Sequence, residues 1–130
     1  MTLNSNNKIE NRDSMVIVYG LKNCDTCRTA LKWLNAQGRD AHFHDLRSDP
    51  IDLETIEGWV TKMGLENLLN RRSKTWRDLP DSKKQNINSR NAGELICAHP
   101  SVIKRPIFIY DKGMLIGFSD RTKENLMANK

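Results

Sequence analysis

The strongest constraint on this chain's fold is a short β-branched run that hands straight over to a helix. Residues 15–19 read Met-Val-Ile-Val-Tyr and are closed by Gly20, the pattern of a buried strand. Leu21-Lys22-Asn23-Cys24-Asp25-Thr26-Cys27 then forms a loop that turns into a helix, because Cys27, Ala30, Leu31 and Leu34 recur at i, i+3, i+4 and i+7. Gly38 supplies the stop, since glycine takes the left-handed conformation that closes helices. Residues 41–46 (AHFHDL) alternate enough to predict a second strand. Strand, helix and strand in succession make a βαβ unit, whose parallel pairing needs the crossover helix.

The far end has a different order. Ile107-Phe108-Ile109-Tyr110 reads as a strand, Asp111-Lys112-Gly113 as a turn and residues 114–117 as its hairpin partner. Ser119 or Asp120 caps a last helix over about 120–128. Between the two halves no strand is evident. Asp49-Pro50 and Asp52 are helix-start signals, and Leu53, Ile56, Val60 and Met63 form an apolar stripe before Gly64. Residues 65–69, 80–87 and 91–98 predict further short helices, the last stopped before Pro100. The chain is thus read as α/β: a βαβ half and a ββα half flanking an all-helical insertion at about 50–100. The polar, asparagine-rich residues 1–14 read as a flexible tail before a domain spanning 15–130.

At 130 residues the chain can bury one real core, and 38% apolar with 28% charged residues is an ordinary globular balance. No apolar run is long enough to span a membrane. The net charge of +5 invites a nucleic-acid reading. However, the basic residues are scattered among acids with no block of like charge, so no nucleic-acid partner is expected. The three cysteines, Cys24, Cys27 and Cys97, are an odd number, and no signal-peptide segment opens the sequence. A reducing, cytoplasmic compartment is therefore expected, in which cysteine chemistry is transient or catalytic.

Cys24 stands where a strand passes into a helix. Unpaired N–H groups and the helix dipole stabilise an anion there, which lowers a thiol's pKa. Lys22 and Arg105 are candidates for added positive charge. Cys24 lies outside the apolar stripe and should be reachable, whereas Cys27 begins the stripe and should face inward. Cys24 is then the attacking sulfur, with Cys27 placed one turn away to resolve a mixed disulfide. Two plainer readings stand beside this one. In the first, Cys97 and His99 complete a zinc set with the Cys-x-x-Cys pair, although Cys-x-His is poor spacing for a second half, and no metal is expected. In the second, Cys24 is merely a cap-region cysteine with no chemistry. Cys97 itself reads as a small buried apolar residue. His42 and His44 read as solvated or core-edge histidines, and Trp59 and Trp76 as packing residues of the insertion. The residues alone favour a trans bond at Arg105-Pro106.

Several segments together resemble the arsenate reductase/Spx (ArsC-like) family, most closely its YffB-type reductase-like proteins. They are residues 19–26 (YGLKNCDT), 43–47 (FHDLR), Leu68-Leu69-Asn70-x-Arg72, 75–79 (TWRDL), 103–106 (IKRP) and 116–120 (IGFSD). The resemblance covers residues 15–128. It implies a thioredoxin-like fold, with βαβ and ββα halves sharing a mixed four-stranded sheet. It also implies that Cys24 is the nucleophile and that Pro106 is cis and faces it. Arg105 matches an arginine that binds the oxyanion in arsenate reductases, a role suited to the fixed fork of a guanidinium. A second such arginine is expected from the insertion, at Arg72 or Arg71, and Asn23 belongs to the same substrate-binding set. Arsenate reductases carry a further arginine after the hairpin, where this chain has Gly117-Phe118-Ser119-Asp120 and Arg121 falls out of register. Arsenate is therefore the third choice of reading.

The resemblance accordingly implies a thiol-dependent reductase of disulfide or oxyanion substrates, monomeric and without a bound cofactor. Glutathione or another thiol would be its co-substrate, glutaredoxin a candidate redox partner, and Cys27 an alternative resolving thiol. The second reading is a redox-sensing regulator like Spx, which binds RNA polymerase.

Overall fold

The computed structural model describes residues 15–128. The tail expected at 1–14 lies outside them. Two compact units divide the chain, one formed by the two ends of the sequence and the other by residues 45–104 between them.

The terminal unit carries a mixed four-stranded sheet in the order β2-β1-β3-β4, with β1 at Val16–Gly20, β2 at Ala41–Asp45, β3 at Ile107–Tyr110 and β4 at Gly113–Ile116. Helix α1, Asp25–Ala36, connects β1 to β2. β3 runs antiparallel to β1, with Val18 opposite Phe108, and antiparallel to β4. Val16 and Val18 on β1, Ala30 and Leu34 on α1, Phe108 on β3 and Leu126 of the last helix, Asp120–Ala128, form the buried cluster. The alternating burial of β1 and the helical spacing on α1 thus meet in one core. Tyr110 pairs with Gly113, so Asp111-Lys112 alone make the turn, and β4 begins one residue earlier than its apolar run suggested. Gly117, at φ +86°, ends it.

In the insertion, α2 at Leu53–Met63 starts as predicted at Asp52, whose carboxylate accepts the Thr55 N–H at 2.9 Å. Gly64 closes α2 at φ +86°, a conformation open to glycine, and α3 follows at Leu65–Leu68. Helix α4, Lys74–Asp78, was not apparent from the sequence. Ser73 Oγ accepts the Trp76 N–H at 3.1 Å and starts it, and Trp76 is buried. The helix predicted over 80–87 shrinks to α5, Asp81–Lys84. Asparagine side chains take over the backbone beyond it, with Asn88 N–H donating to Asn91 Oδ1 and Asn91 Nδ2 to the Asn86 carbonyl, both at 2.8 Å. Helix α6, Ala92–Ala98, packs on α2 and leads into a short 3-10 turn, Pro100–Val102. An isolated antiparallel bridge, Leu69 to Ile103, ties the segment just after α3 to the one just after the 3-10 turn. The last helix of the terminal unit, Asp120–Ala128, is α7, started by Ser119 Oγ accepting the Thr122 N–H at 3.3 Å. Among the described residues no helix is long and apolar enough to cross a membrane.

Candidate active site

The turn between β1 and α1 is short because it has only to reverse direction. Its Cys24 N–H donates to the Leu21 carbonyl at 3.1 Å. Cys24 is the N-cap of the twelve-residue α1, with extended backbone (φ −100°, ψ 116°). Its carbonyl accepts the Arg28 N–H at 3.1 Å, so the helix begins on it. The Cys24 side chain makes no capping hydrogen bond of ordinary geometry. Even so, the Cys27 N–H at the third helical position is near enough to favour the anion. Cys24 is partly exposed and Cys27 fully buried, and both are free thiols. That asymmetry is the one the helical spacing predicted.

The electrostatics follow from these positions. Burial alone would raise the Cys24 pKa. Hydrogen bonds from the Cys27 backbone and thiol, with a further bond and positive charge from Arg105, outweigh it and hold the thiol below its ordinary range. Cys27 goes the other way, to about 12. Burial is the main cause, the Leu21 N–H opposes it, and the neighbouring Cys24 adds to it. One thiol is therefore biased toward its anion and its neighbour toward the protonated form. Of the two cations proposed from sequence, Arg105 faces the sulfurs. Lys22 lends the site its carbonyl instead, which accepts Arg28 Nη1 at 3.0 Å, while Arg28 also pairs with Asp25 on the first turn of α1.

Arg105 and Pro106 lead into β3. The bond between them is cis, as the family resemblance implied and the residues alone did not. Pro106 is fully buried and its carbonyl accepts the Gly117 N–H at 2.8 Å, fixing this approach to the hairpin. Asn23 is exposed on the turn beside Cys24. The terminal unit thus brings Cys24, Cys27 and Arg105 together, with Pro106 next to Arg105 in the chain.

The arginines expected from the insertion follow α3. Arg71 forks onto Glu66, with Nε to Oε1 at 3.0 Å and Nη2 to Oε2 at 2.7 Å, and its guanidinium lies 5.0 Å from the centre of the Trp76 ring. Arg72 is exposed, with its backbone N–H on Asn70 Oδ1 at 3.1 Å. Arg71 is thus already engaged within the insertion. Cys97 is partly exposed rather than buried as predicted. Near the end of α6 its Sγ approaches the Ile51 carbonyl at 3.9 Å, beside a small apolar cavity lined by residues that include Ile56, Ile96 and Ile103. Among the described residues no group of three or more His, Cys, Asp or Glu side chains is arranged to hold a metal ion.

Sequence reasoning missed the contribution of Cys27 to its neighbour's charge. It also missed Gly20 at the end of β1, against which the Cys27 sulfur rests. A glycine closing a strand just before a cysteine loop was a visible signal, but it read as punctuation.

Comparison with known proteins bears on this arrangement. The profile of the ArsC family matches residues 19–126. An uncharacterised protein of Haemophilus influenzae is 40% identical over 114 residues, 88% of this chain and all of its own length. The global transcriptional regulator Spx of Lactiplantibacillus plantarum is 32% identical over 89% of each chain. Among solved structures, the YffB (PA3664) protein superposes with a TM-score of 0.80 at 33% identity, covering 85% of this chain and 97% of that one. An arsenate reductase-related protein of Brucella melitensis gives 0.69 at 38% identity, covering 85% and 92%.

Proposed function

This chain belongs to the ArsC family, and we propose that within it the protein is a thiol-dependent reductase whose nucleophile is Cys24. The observation that carries this reading is the division of labour at the start of α1. There, a reachable sulfur is biased toward the anion beside Arg105 and a buried one is held as a thiol. The thiolate, not the thiol, attacks. The Cys24 anion displaces one sulfur of a disulfide substrate, forming a mixed disulfide and releasing the other half as a thiolate. Glutathione, or Cys27 after losing its proton, then attacks the Cys24 sulfur and releases the reduced substrate half. In the first route a second glutathione attacks the Cys24–glutathione disulfide and leaves as glutathione disulfide, freeing the Cys24 thiolate. In the second, two glutathiones in turn reduce the Cys24–Cys27 disulfide with the same product, so that two electrons pass from thiols to substrate. An oxyanion substrate would take the same first step, the thiolate bonding to the central atom while one oxygen takes up protons and leaves as water, with the remaining charge held by the Arg105 guanidinium.

Cys24→Ser is expected to abolish glutathione-dependent turnover of a mixed-disulfide substrate, while Cys97→Ser keeps it. Full activity in Cys24→Ser sinks the reading. Supplying arsenate in the same assay separates oxyanion from disulfide reduction.

The likeness to Spx supports a second reading, in which the Cys24–Cys27 pair is an oxidisable switch on a transcriptional regulator. Retention on immobilised RNA polymerase that changes with oxidation, without steady turnover, favours that reading. Turnover without retention favours the enzyme.

A further inference from the structure

The Cys27 sulfur rests in a notch that exists because residue 20 has no side chain. A Cβ placed on Gly20 would meet Cys27 Sγ at 2.3 Å and Cys27 Cβ at 3.3 Å, with Phe43 Cε1 of β2 closing the far side at 3.4 Å. Real Cβ atoms essentially never approach other atoms within 3.0 Å. Gly20 is buried at the end of β1, and its φ is not in the left-handed region. What the position demands is therefore space, not an unusual backbone. The same short turn holds both sulfurs. The Leu21 N–H faces Cys27 Sγ, the Leu21 carbonyl takes the Cys24 N–H at 3.1 Å, and the Cys27 thiol donates to Cys24.

We propose that Gly20 is a positioning residue for the cysteine pair: the space left by its missing side chain seats the Cys27 sulfur where it hydrogen-bonds to the sulfur of Cys24. The proposal deepens the reductase reading and rests on it, since the bond matters to turnover through the Cys24 nucleophile. A methyl group at position 20 meets three atoms. Phe43 Cε1 is at ordinary contact distance and the Cys27 Cβ need give by only a few tenths of an ångström, so it is the sulfur that must move away. Rotating or withdrawing it removes a donor from Cys24 and leaves Arg105 as the chief side-chain group favouring the anion. Cys24 is then expected to ionise at higher pH. Its alkylation near neutral pH slows by roughly tenfold for every pH unit that its titration moves upward.

The test is a double-mutant cycle between Gly20→Ala and Cys27→Ala in the full chain. The rate of Cys24 alkylation by iodoacetamide is followed against pH by peptide-resolved mass spectrometry, which separates Cys24 from Cys97 and needs no substrate. Gly20→Ala is expected to raise the Cys24 pKa in the native background and to leave it unchanged once Cys27 is alanine. An equal rise in both backgrounds, or none in the native one, overturns the proposal. Should Gly20→Ala alone fail to fold, circular dichroism of the double variant decides. With the sulfur gone the methyl group has room, so the double variant must fold, and a double variant that stays unfolded also overturns the proposal. If the cycle behaves as expected but Cys24→Ser retains turnover, the positioning stands and the reductase reading falls.

Discussion

Cys24 and Cys27 lie one helical turn apart, and their surroundings drive their thiols in opposite directions. Arg105 contributes both a hydrogen bond and a positive charge to Cys24. Arg105→Gln is therefore expected to raise the Cys24 pKa and slow its alkylation near neutral pH, read by the same peptide-resolved measurement. Cys27 makes a separate statement about stability. Its pKa rises on folding from an ordinary 9.0 to about 12, so the folded chain favours the protonated thiol. That contribution is whole below about pH 9 and is lost as pH climbs toward about 12. Denaturation midpoints across that window should fall more steeply for the native protein than for Cys27→Ala, which has no such proton to lose. Parallel declines would mean that Cys27 ionises as readily folded as unfolded. Cys24 has the opposite sign. Its lowered pKa adds stability above the ordinary thiol range, and that gain disappears as pH falls through its folded value.

Among the elements, those set by local pattern were the easiest to read. β1, α1 and α2 each carry a periodicity that matches the face they bury, β3 is a short continuous apolar run, and Asp52 caps α2 as its position before Leu53 suggests. The short helices of the insertion were less legible. Helix α4 has few residues with which to show a period and depends on Ser73 and on the burial of Trp76. The Asn86–Asn91 stretch shortens α5 through side-chain bonds that no hydrophobic pattern announces. Within α2, Gly58 is exposed, and a Cβ placed on it would meet nothing within 4 Å. Gly58→Ala is expected to stabilise the protein by about 0.5–1 kcal/mol, by removing backbone freedom from the unfolded chain. Chemical denaturation checks this, and a loss of stability would mean that the helix surface there is occupied.

On the scale of the whole molecule, the terminal unit depends on two distant pieces of chain meeting in one sheet. Phe108 of β3 is fully buried among Val16, Val18 and Leu34, far from them in sequence, and lies 6.2 Å from the ring of Phe118. Phe108→Ala should cost about 3–5 kcal/mol, the usual range for a large side chain lost from a close-packed core. A cost within the error of the midpoint measurement would show that this junction is not where the fold is held. Arg39 also ties these pieces together, buried with Nη1 2.5 Å from the Leu126 carbonyl. No charge pattern in the sequence hinted at that partner. By itself the sequence determined the βαβ and ββα halves, the reachable and buried members of the cysteine pair, and the family, because periodicity, spacing and short motifs are properties of neighbouring residues. Only the tertiary structure decided that Arg105 rather than Lys22 faces the sulfurs, that Arg71 is taken by Glu66 and Trp76, and that Gly20 leaves the room Cys27 fills. Those facts are distances between side chains brought together by packing, and a linear string of residues does not contain them.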